Sequence, residues 1–427
     1  MRLEIQQLRQ EVGTLRDELR RNLQPSGGNQ GGAQRPEPAA ASSEALRASE
    51  LLPVIQAQVA EQAQTKVESN SHFPVKIFGN IVSNTFFNTG EANWLDSPNI
   101  VPGNPAASLP KGSFSSSLRQ SRFGAIVEGP AIGSMRSTGF VAMDFFGGIP
   151  NFQNGQVMGI PRLLYAFARF EGERTAIEVG QDQMILAPRN PTSLSAMAFP
   201  ELFRSGNLYL RVPQARIEQK FGKGKAGQWQ AMIGMLAPVA GDFVSDSLTF
   251  VPPNLAGERS RRPAIQGRLA WSRWNAETGQ GLEIGLSGHT GTERYVTGSV
   301  PSRAAAVDFD ARVGRLGFSG EWFVGENIDA FGGSVSQRAK SLGGFLEARL
   351  AATQKLDFNL GFGTDQLIDR NSFPAPLLRN PCFFSNVIYR LTPEVATSFE
   401  YRWLSTIPAQ GAARQNNHFG IVLAYSF

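Results

Sequence analysis

Cysteine is almost missing from this chain: Cys382 stands alone among 427 residues. A disulfide framework within one chain is therefore excluded, and so is any cysteine-based zinc site. Histidine is nearly as scarce, with His72, His289 and His418 making up the full set. Their spacing suits neither a metal nor a Ser-His-Asp arrangement. No stretch approaches the roughly 18 consecutive apolar residues of a transmembrane helix. A mean hydropathy of −0.20 still leaves a membrane protein open, because barrel strands alternate apolar and polar residues and average out. The start of the chain is charged and heptad-like, without the apolar core of a secretory signal.

What is abundant is glycine, 45 residues, and phenylalanine, 30. Residues 1–23 carry a heptad, with Ile5, Val12 and Leu19 on one seam position and Met1, Leu8 and Leu15 on the other. Apolar seams flanked by Arg9, Glu11, Arg16 and Asp17 are what a short coiled coil needs. Three heptads are marginal alone, so an oligomer held together elsewhere is expected to support them. Residues 24–72 begin as a Pro/Gly/Gln-rich linker that cannot bury a core. They regain helical character over 42–68, interrupted at Pro53. Residues 1–72 hold 8 basic and 9 acidic side chains, so the other 33 basic and 27 acidic leave the rest of the chain at +6.

From Phe73 onward the texture is period two, the half-buried strand signature. Sixteen such runs are expected: 75–88, 118–129, 135–146, 161–171, 174–184, 209–221, 226–236, 264–274, 281–289, 304–313, 315–325, 339–351, 353–363, 382–391, 394–405 and 416–427. Most are longer than the usual globular strand of roughly five or six residues and match the roughly 9–11 of a tilted membrane-spanning one. Short connections alternate with long ones, the latter at 89–117, 185–208, 237–263 and 364–381. A water-soluble sandwich has no reason to gather its long loops at one end, whereas an outer-membrane barrel does. The expected fold is thus an all-β transmembrane barrel of about sixteen antiparallel strands over 73–427, preceded by a coiled-coil helix and a flexible linker.

The two faces of the runs differ. Phe419, Ile421, Leu423, Tyr425 and Phe427 alternate with His418, Gly420, Val422, Ala424 and Ser426. Val395, Thr397, Phe399, Tyr401 and Trp403 oppose Glu394, Ala396, Ser398, Glu400 and Arg402. One face suits hydrocarbon; the other is charged in both signs, as a water-filled lumen would be. About sixteen strands leave an aqueous channel, whereas about eight fill with side chains. No catalytic constellation and no cofactor or nucleic-acid motif emerges. Paired carboxylates such as Asp308 and Asp310 read as counter-charges to arginine, and the turn at Gly222 lacks phosphate-cradling spacing.

Arginine is the chemistry that remains. By alternation Arg122, Arg216, Arg268, Arg312, Arg349, Arg390 and Arg402 face inward, as do Glu218, Asp308, Glu347 and Glu400. Arg offers planar, permanently charged donors for carboxylate or phosphate, and rings of such charge select ions in pores. The competing reading is neutralisation in wall salt bridges. The loop 185–208 has an unusual Ala, Met and Phe content, and in sixteen-stranded porins the loop in this position commonly folds into the lumen. Arg189 and Arg204 would then sit at the constriction.

Several segments converge on a known family. Ser121-Arg122-Phe123-Gly124 opens the second run, and Pro161-Arg162-Leu163-Leu164-Tyr165 the fourth. Val179-Gly180-Gln181-Asp182-Gln183 ends the fifth, and Arg211-Val212-Pro213-Gln214-Ala215-Arg216 falls at the start of the sixth. Gly320-Glu321-Trp322-Phe323 closes the eleventh, and Tyr425-Ser426-Phe427 ends the chain. This order resembles the DcaP-like porins. The resemblance implies a trimeric sixteen-stranded barrel with an N-terminal coiled coil, passive uptake of small anions such as dicarboxylates, and Arg122, Arg162, Arg211 and Arg216 as pore residues.

The expected location is the outer membrane of a Gram-negative-type bacterium, with the N-terminal region in the periplasm. Expected partners are outer-membrane lipid, small anionic solutes, two further copies of the chain, and the barrel-assembly machinery through the strand ending at Phe427. Such a location requires a secretory signal, so the start is expected to be misassigned or the sequence to be a mature or trimmed form. The rival expectation is a structural barrel that anchors a periplasmic coiled coil to peptidoglycan or a partner.

Overall fold

The computed structural model describes residues 73–103, 111–148, 159–222, 227–238, 255–333, 339–369 and 377–427. The coiled coil expected over 1–23 and the linker over 24–72 lie outside the described residues. The strands are β1 (Val75–Asn88), β2 (Ser113–Ser117), β3 (Arg122–Glu128), β4 (Arg136–Asp144), β5 (Arg162–Glu171), β6 (Thr175–Gln183), β7 (Arg211–Phe221), β8 (Gln228–Leu236) and β9 (Ala264–Trp274). There follow β10 (Gly281–Tyr295), β11 (Gly298–Val313), β12 (Leu316–Glu326), β13 (Lys340–Ala351), β14 (Leu356–Leu367), β15 (Leu377–Arg390), β16 (Val395–Pro408) and β17 (Arg414–Ser426). A helical turn, α1 (Ala256–Arg259), precedes β9.

All neighbours pair antiparallel, and β1 pairs with β17 from Asn80↔Ser426 to Asn88↔His418, which closes the sheet. Closure removes the unpaired edge that a long apolar strand would otherwise expose. β2 and β3 both pair with β1 and act as one stave, so seventeen strands make a sixteen-staved barrel. The break between them, at 118–121, has a cause. Ser121 Oγ accepts from Val82 N at 3.0 Å, and Arg119 turns to Asp96, where its Nη2 lies 2.6 Å from Oδ1.

Alternation holds around the wall. Outward side chains are apolar: Ile217, Ile233, Leu269, Leu286, Trp322, Leu346, Leu360, Phe399 and Leu423 are all exposed. At the short-turn end Phe221, Trp229 and Trp271 lie in register on β7, β8 and β9, part of an aromatic girdle of the kind that marks a membrane interface. Inward side chains are polar and buried, among them Glu178, Arg216, Arg268, Asp308, Glu347, Glu400 and Arg402.

Several strand ends, and one register, differ from the sequence expectation. β10 and β11 run 15 and 16 residues and join through two residues, 296–297, where a long loop over 290–303 was implied. The projecting part of this hairpin carries small and polar residues on both sides, so period two is lost although the pairing continues. β15 begins at Leu377 and β16 extends to Pro408, both beyond the alternating core. In β4 a register shift between Ala142 and Met143 breaks the phase against β5. It leaves both Leu164 and Tyr165 buried.

Candidate functional site: a lumenal loop facing an arginine wall

The chain from 184 to 210, between β6 and β7, leaves the wall and crosses the lumen, because inward polar side chains satisfy its backbone. Ile185 N and Leu186 N both donate to Gln266 Oε1 on β9 at 2.9 Å. Thr192 N donates to Glu347 Oε1 on β13 at 2.7 Å, and Leu194 N to Glu400 Oε1 on β16 at 2.8 Å. Met197 N donates to Gln120 Oε1 at 2.7 Å, and Leu208 N to Glu321 Oε1 on β12 at 2.7 Å. Asn380 Nδ2 on β15 donates to Arg204 O at 2.9 Å. Most of these bonds spread over β9 to β16, while Gln120, between β2 and β3, and Arg162 of β5, whose Nη2 donates to Ala198 O at 3.3 Å, hold the loop from the other side. Glycine makes the approach possible: a Cβ on Gly363 would meet Ser205 O at 2.1 Å.

The apolar residues that set this loop apart fill gaps between it and the wall. Met184, Leu186 and Leu208 pack with Phe323, Ile328 and Phe331; Leu202 packs with Phe345, Phe384 and Leu404; Met197 packs with Val82 and Val422. Water is thereby excluded beneath the loop.

Among the arginines singled out from sequence, Arg349 and Arg390 pair with Asp310 and Asp357 on the wall, and Arg189, Arg216, Arg268 and Arg402 sit in tight ionic networks. Arg189 Nε lies 2.7 Å from Asp308 Oδ1, and its Nη2 lies 2.8 Å from Glu283 Oε1. Arg268 binds the same two carboxylates, at 2.6 and 2.8 Å. Arg402 pairs with Glu201 of the loop. Burial raises the Glu201 carboxyl above its ordinary range, while the charge and hydrogen bond of Arg402 pull the other way. Arg216 lies 2.9 Å from Glu178, 2.6 Å from Asp182 and 3.1 Å from Glu218, beside Arg169, which reaches Glu178 and Glu218.

Arg122, Arg162, Arg204 and Arg211 are arranged differently. Arg122 is buried on β3, in register with Asp144. Arg162 makes a two-pronged bond to Asp144 at 3.1 and 2.7 Å, and its guanidinium also stands 5.0 Å from the Phe199 ring centroid. Arg211 lies 4.8 Å from both the Tyr165 and the Tyr209 rings. Arg204 lies 5.7 Å from the Phe203 ring, in a left-handed backbone position at φ 64°. Burial lowers Arg204 to about 10, opposed by the charge of Asp329, so it keeps its charge at neutral pH. Arg162, Arg204 and Arg211 are each half-buried.

Arg162, Arg204 and Arg211 share an aromatic seam that the sequence did not reveal. Phe199 of the loop stacks with Trp94 at 4.6 Å and Phe203 at 5.0 Å, and Trp94 meets Phe146 at 5.7 Å. Arg119 lies 4.1 Å from Phe146. Trp94 follows β1 and Phe146 follows β4, both outside the strands, and no periodicity marks such a side chain. Tyr165 was visible only in the β5 run, where the register shift in β4 conceals its direction. A guanidinium stacked by its face keeps its donor edge directed sideways, suited to a planar carboxylate. Among the described residues, no group of three or more His, Cys, Asp or Glu side chains is placed to hold a metal.

A closed sixteen-staved barrel with an apolar outside, a polar inside and a lumenal loop has the architecture of an outer-membrane channel. Solved structures agree. The barrel is similar to the outer membrane channel DcaP of Acinetobacter baumannii, with a TM-score of 0.66 and 14% identity over 85% of this chain and 100% of that one. It is similar to the anion-selective porin from Comamonas acidovorans, with a TM-score of 0.54 and 12% identity over 83% and 100%. It also matches the trimer form of OmpT, an outer membrane protein of Vibrio cholerae, with a TM-score of 0.50 and 11% identity over 84% and 100%. At such identities the likeness establishes the fold. No protein-family model and no curated protein matches the sequence.

Proposed function

We propose that this protein is a passive outer-membrane porin for small hydrophilic anions, with dicarboxylates as the solute class. One observation carries the reading. The loop 184–210 is bonded mainly to β9–β16, and the wall from β3 to β7 carries the half-buried guanidinium groups of Arg162 and Arg211, beside the buried Arg122 and Arg216. A solute passing between loop and wall meets these two guanidinium groups, both seated on aromatic rings. Focused positive potential inside low-dielectric walls raises the local concentration of anions. The barrel part of the chain also carries the whole excess of positive charge. The anion-selective porin that shares this fold is consistent with the reading.

On the same reading the short-turn end faces the periplasm, where the chain before Val75 extends as a linker and a coiled coil. The working unit is a homotrimer, as the trimeric OmpT neighbour encourages, and the strand ending at Phe427 is presented to the barrel-assembly machinery. Single-channel recording in planar bilayers tests the proposal. Conductance in steps of three with chloride favoured is the expected result. A folded, silent barrel would instead support the structural-anchor reading.

A further inference from the structure

The outer surface of the barrel is not uniform at its long-loop end. On the flank of β1 and β2 the rim is apolar, with Phe87, Phe114 and Leu118 exposed. On the flank of β9 to β13 it is cationic. Arg259, Arg261, Arg262, Arg294, Arg303 and Lys340 are all exposed there, against the carboxylates of Glu258 and Glu326.

Register fixes how these charges stand. Thr290, Arg303, Glu326 and Lys340 are consecutive cross-strand partners on β10, β11, β12 and β13. Arg303 and Lys340 therefore flank Glu326 at one level, at 3.9 and 3.7 Å from its carboxylate oxygens. They keep 68% and 60% of their side-chain surface exposed while so paired, and one carboxylate neutralises one of the two cations. Arg294 projects from the same outward row of β10, four residues beyond Thr290. The segment 259–262 is tied to it, since Arg259 Nε donates to Arg294 O at 3.3 Å. Immediately nearer the middle of the barrel lie the exposed apolar residues Val324 and Leu342, then Leu286 and Val307. A cationic shelf two to four residues above an apolar belt is where a lipid headgroup meets acyl chains, and clustered cations there select anionic headgroups.

We infer that this shelf is a binding site for a phosphorylated lipid of the outer leaflet, its acyl chains lying along Leu286, Val307, Val324 and Leu342 and its phosphates reaching Arg294, Arg303 and Lys340. The inference rests on the outer-membrane placement proposed above but not on the pore, because every residue of the shelf is outside the lumen. The apolar belt below the cations favours a lipid over a free phosphate, which would leave those four side chains unused.

Delipidated full-length protein in neutral detergent is titrated with diphosphorylated lipid A, with the dephosphorylated lipid, and with inorganic phosphate. Binding of the diphosphorylated lipid is expected, with the other two at least tenfold weaker. The variant R294Q/R303Q/K340Q should bind it about a hundredfold more weakly, since each cation near an anionic lipid surface contributes roughly a fivefold factor. The charge-retaining Arg303→Lys should bind like the wild type. Single-channel conductance of the triple variant should match the wild type, which shows the barrel intact and separates this result from the channel proposal. If the triple variant folds poorly, R303Q/K340Q serves with a proportionately smaller loss. Equal affinity for phosphorylated and dephosphorylated lipid, or an unchanged affinity in the variants, would overturn the inference. Inorganic phosphate binding as tightly as the lipid would overturn it in favour of a soluble anion.

Discussion

Arg189 and Asp308, 119 residues apart in the chain, meet inside the barrel with Nε 2.7 Å from Oδ1. Arg268 shares the same carboxylate at 2.6 Å, and Glu283 completes a buried quartet of two cations and two anions. The contact fastens the start of the lumenal loop to β11. Replacing Asp308 by Asn would leave two buried guanidinium groups sharing one carboxylate. Breaking a buried pair costs about 3–5 kcal/mol, so D308N should unfold at lower temperature on unboiled gels. An unchanged transition would mean the loop is held chiefly by its backbone bonds.

Arg211 and Arg216 should separate cleanly although they share one strand. Arg216 is enclosed by Glu178, Asp182 and Glu218, whereas Arg211 stacks half-exposed between two tyrosines. Arg211→Ala should lower the local anion concentration by about twofold, the effect of one charge some 8 Å away in water, and lower the anion-to-cation permeability ratio with it, with little loss of stability. Arg216→Ala should chiefly destabilise, because three carboxylates lose a shared cation. The reverse pattern would place the selective charge at Arg216.

Much of this was legible in the sequence. Period two along β17 and β16 marked the two faces, sixteen such runs set the stave count, and loop-length alternation marked the barrel, because all follow from the chemistry of lipid outside and water inside. The Ala-, Met- and Phe-rich composition of 185–208 pointed inward, and Met184, Leu202 and Leu208 show why: those side chains seal the loop to the wall. What alternation could not provide was partnership. Arg268 and Arg211 both read as inward arginines, yet one is neutralised by residues on β10 and β11 and the other is seated on rings from β5 and the loop. Those neighbours are brought together by register and closure, which no local pattern encodes.

Closure itself rests on a glycine. Phe427 and Gly79 exchange both backbone hydrogen bonds at 3.0 Å, and the Phe427 ring lies over Gly79 so closely that a Cβ there would stand 2.4 Å from Cζ. Gly79→Val should therefore displace the terminal ring and reduce the yield of heat-modifiable barrel. The double variant G79V/F427A should recover part of it by vacating the space. Full yield from G79V alone would show that the ring contact is dispensable.

Charge selectivity should be insensitive to mild alkali. Arginine does not titrate near neutrality, and even Arg204, lowered to about 10 by burial, keeps its proton at pH 8. Acidification protonates carboxylates and removes negative charge, so anion preference should hold or strengthen from pH 8 to pH 5. A preference that weakens on acidification would show that arginine does not set the field.

Anion selectivity is read out by the reversal potential of the purified full-length channel in a potassium chloride gradient. The expected sign reports chloride as the more permeant ion, with the preference shrinking as ionic strength rises and the screening length shortens to about 3 Å at 1 M salt. A channel that prefers potassium under the same gradient would contradict it, and would assign the field to carboxylates such as Glu178, Asp182 and Glu218.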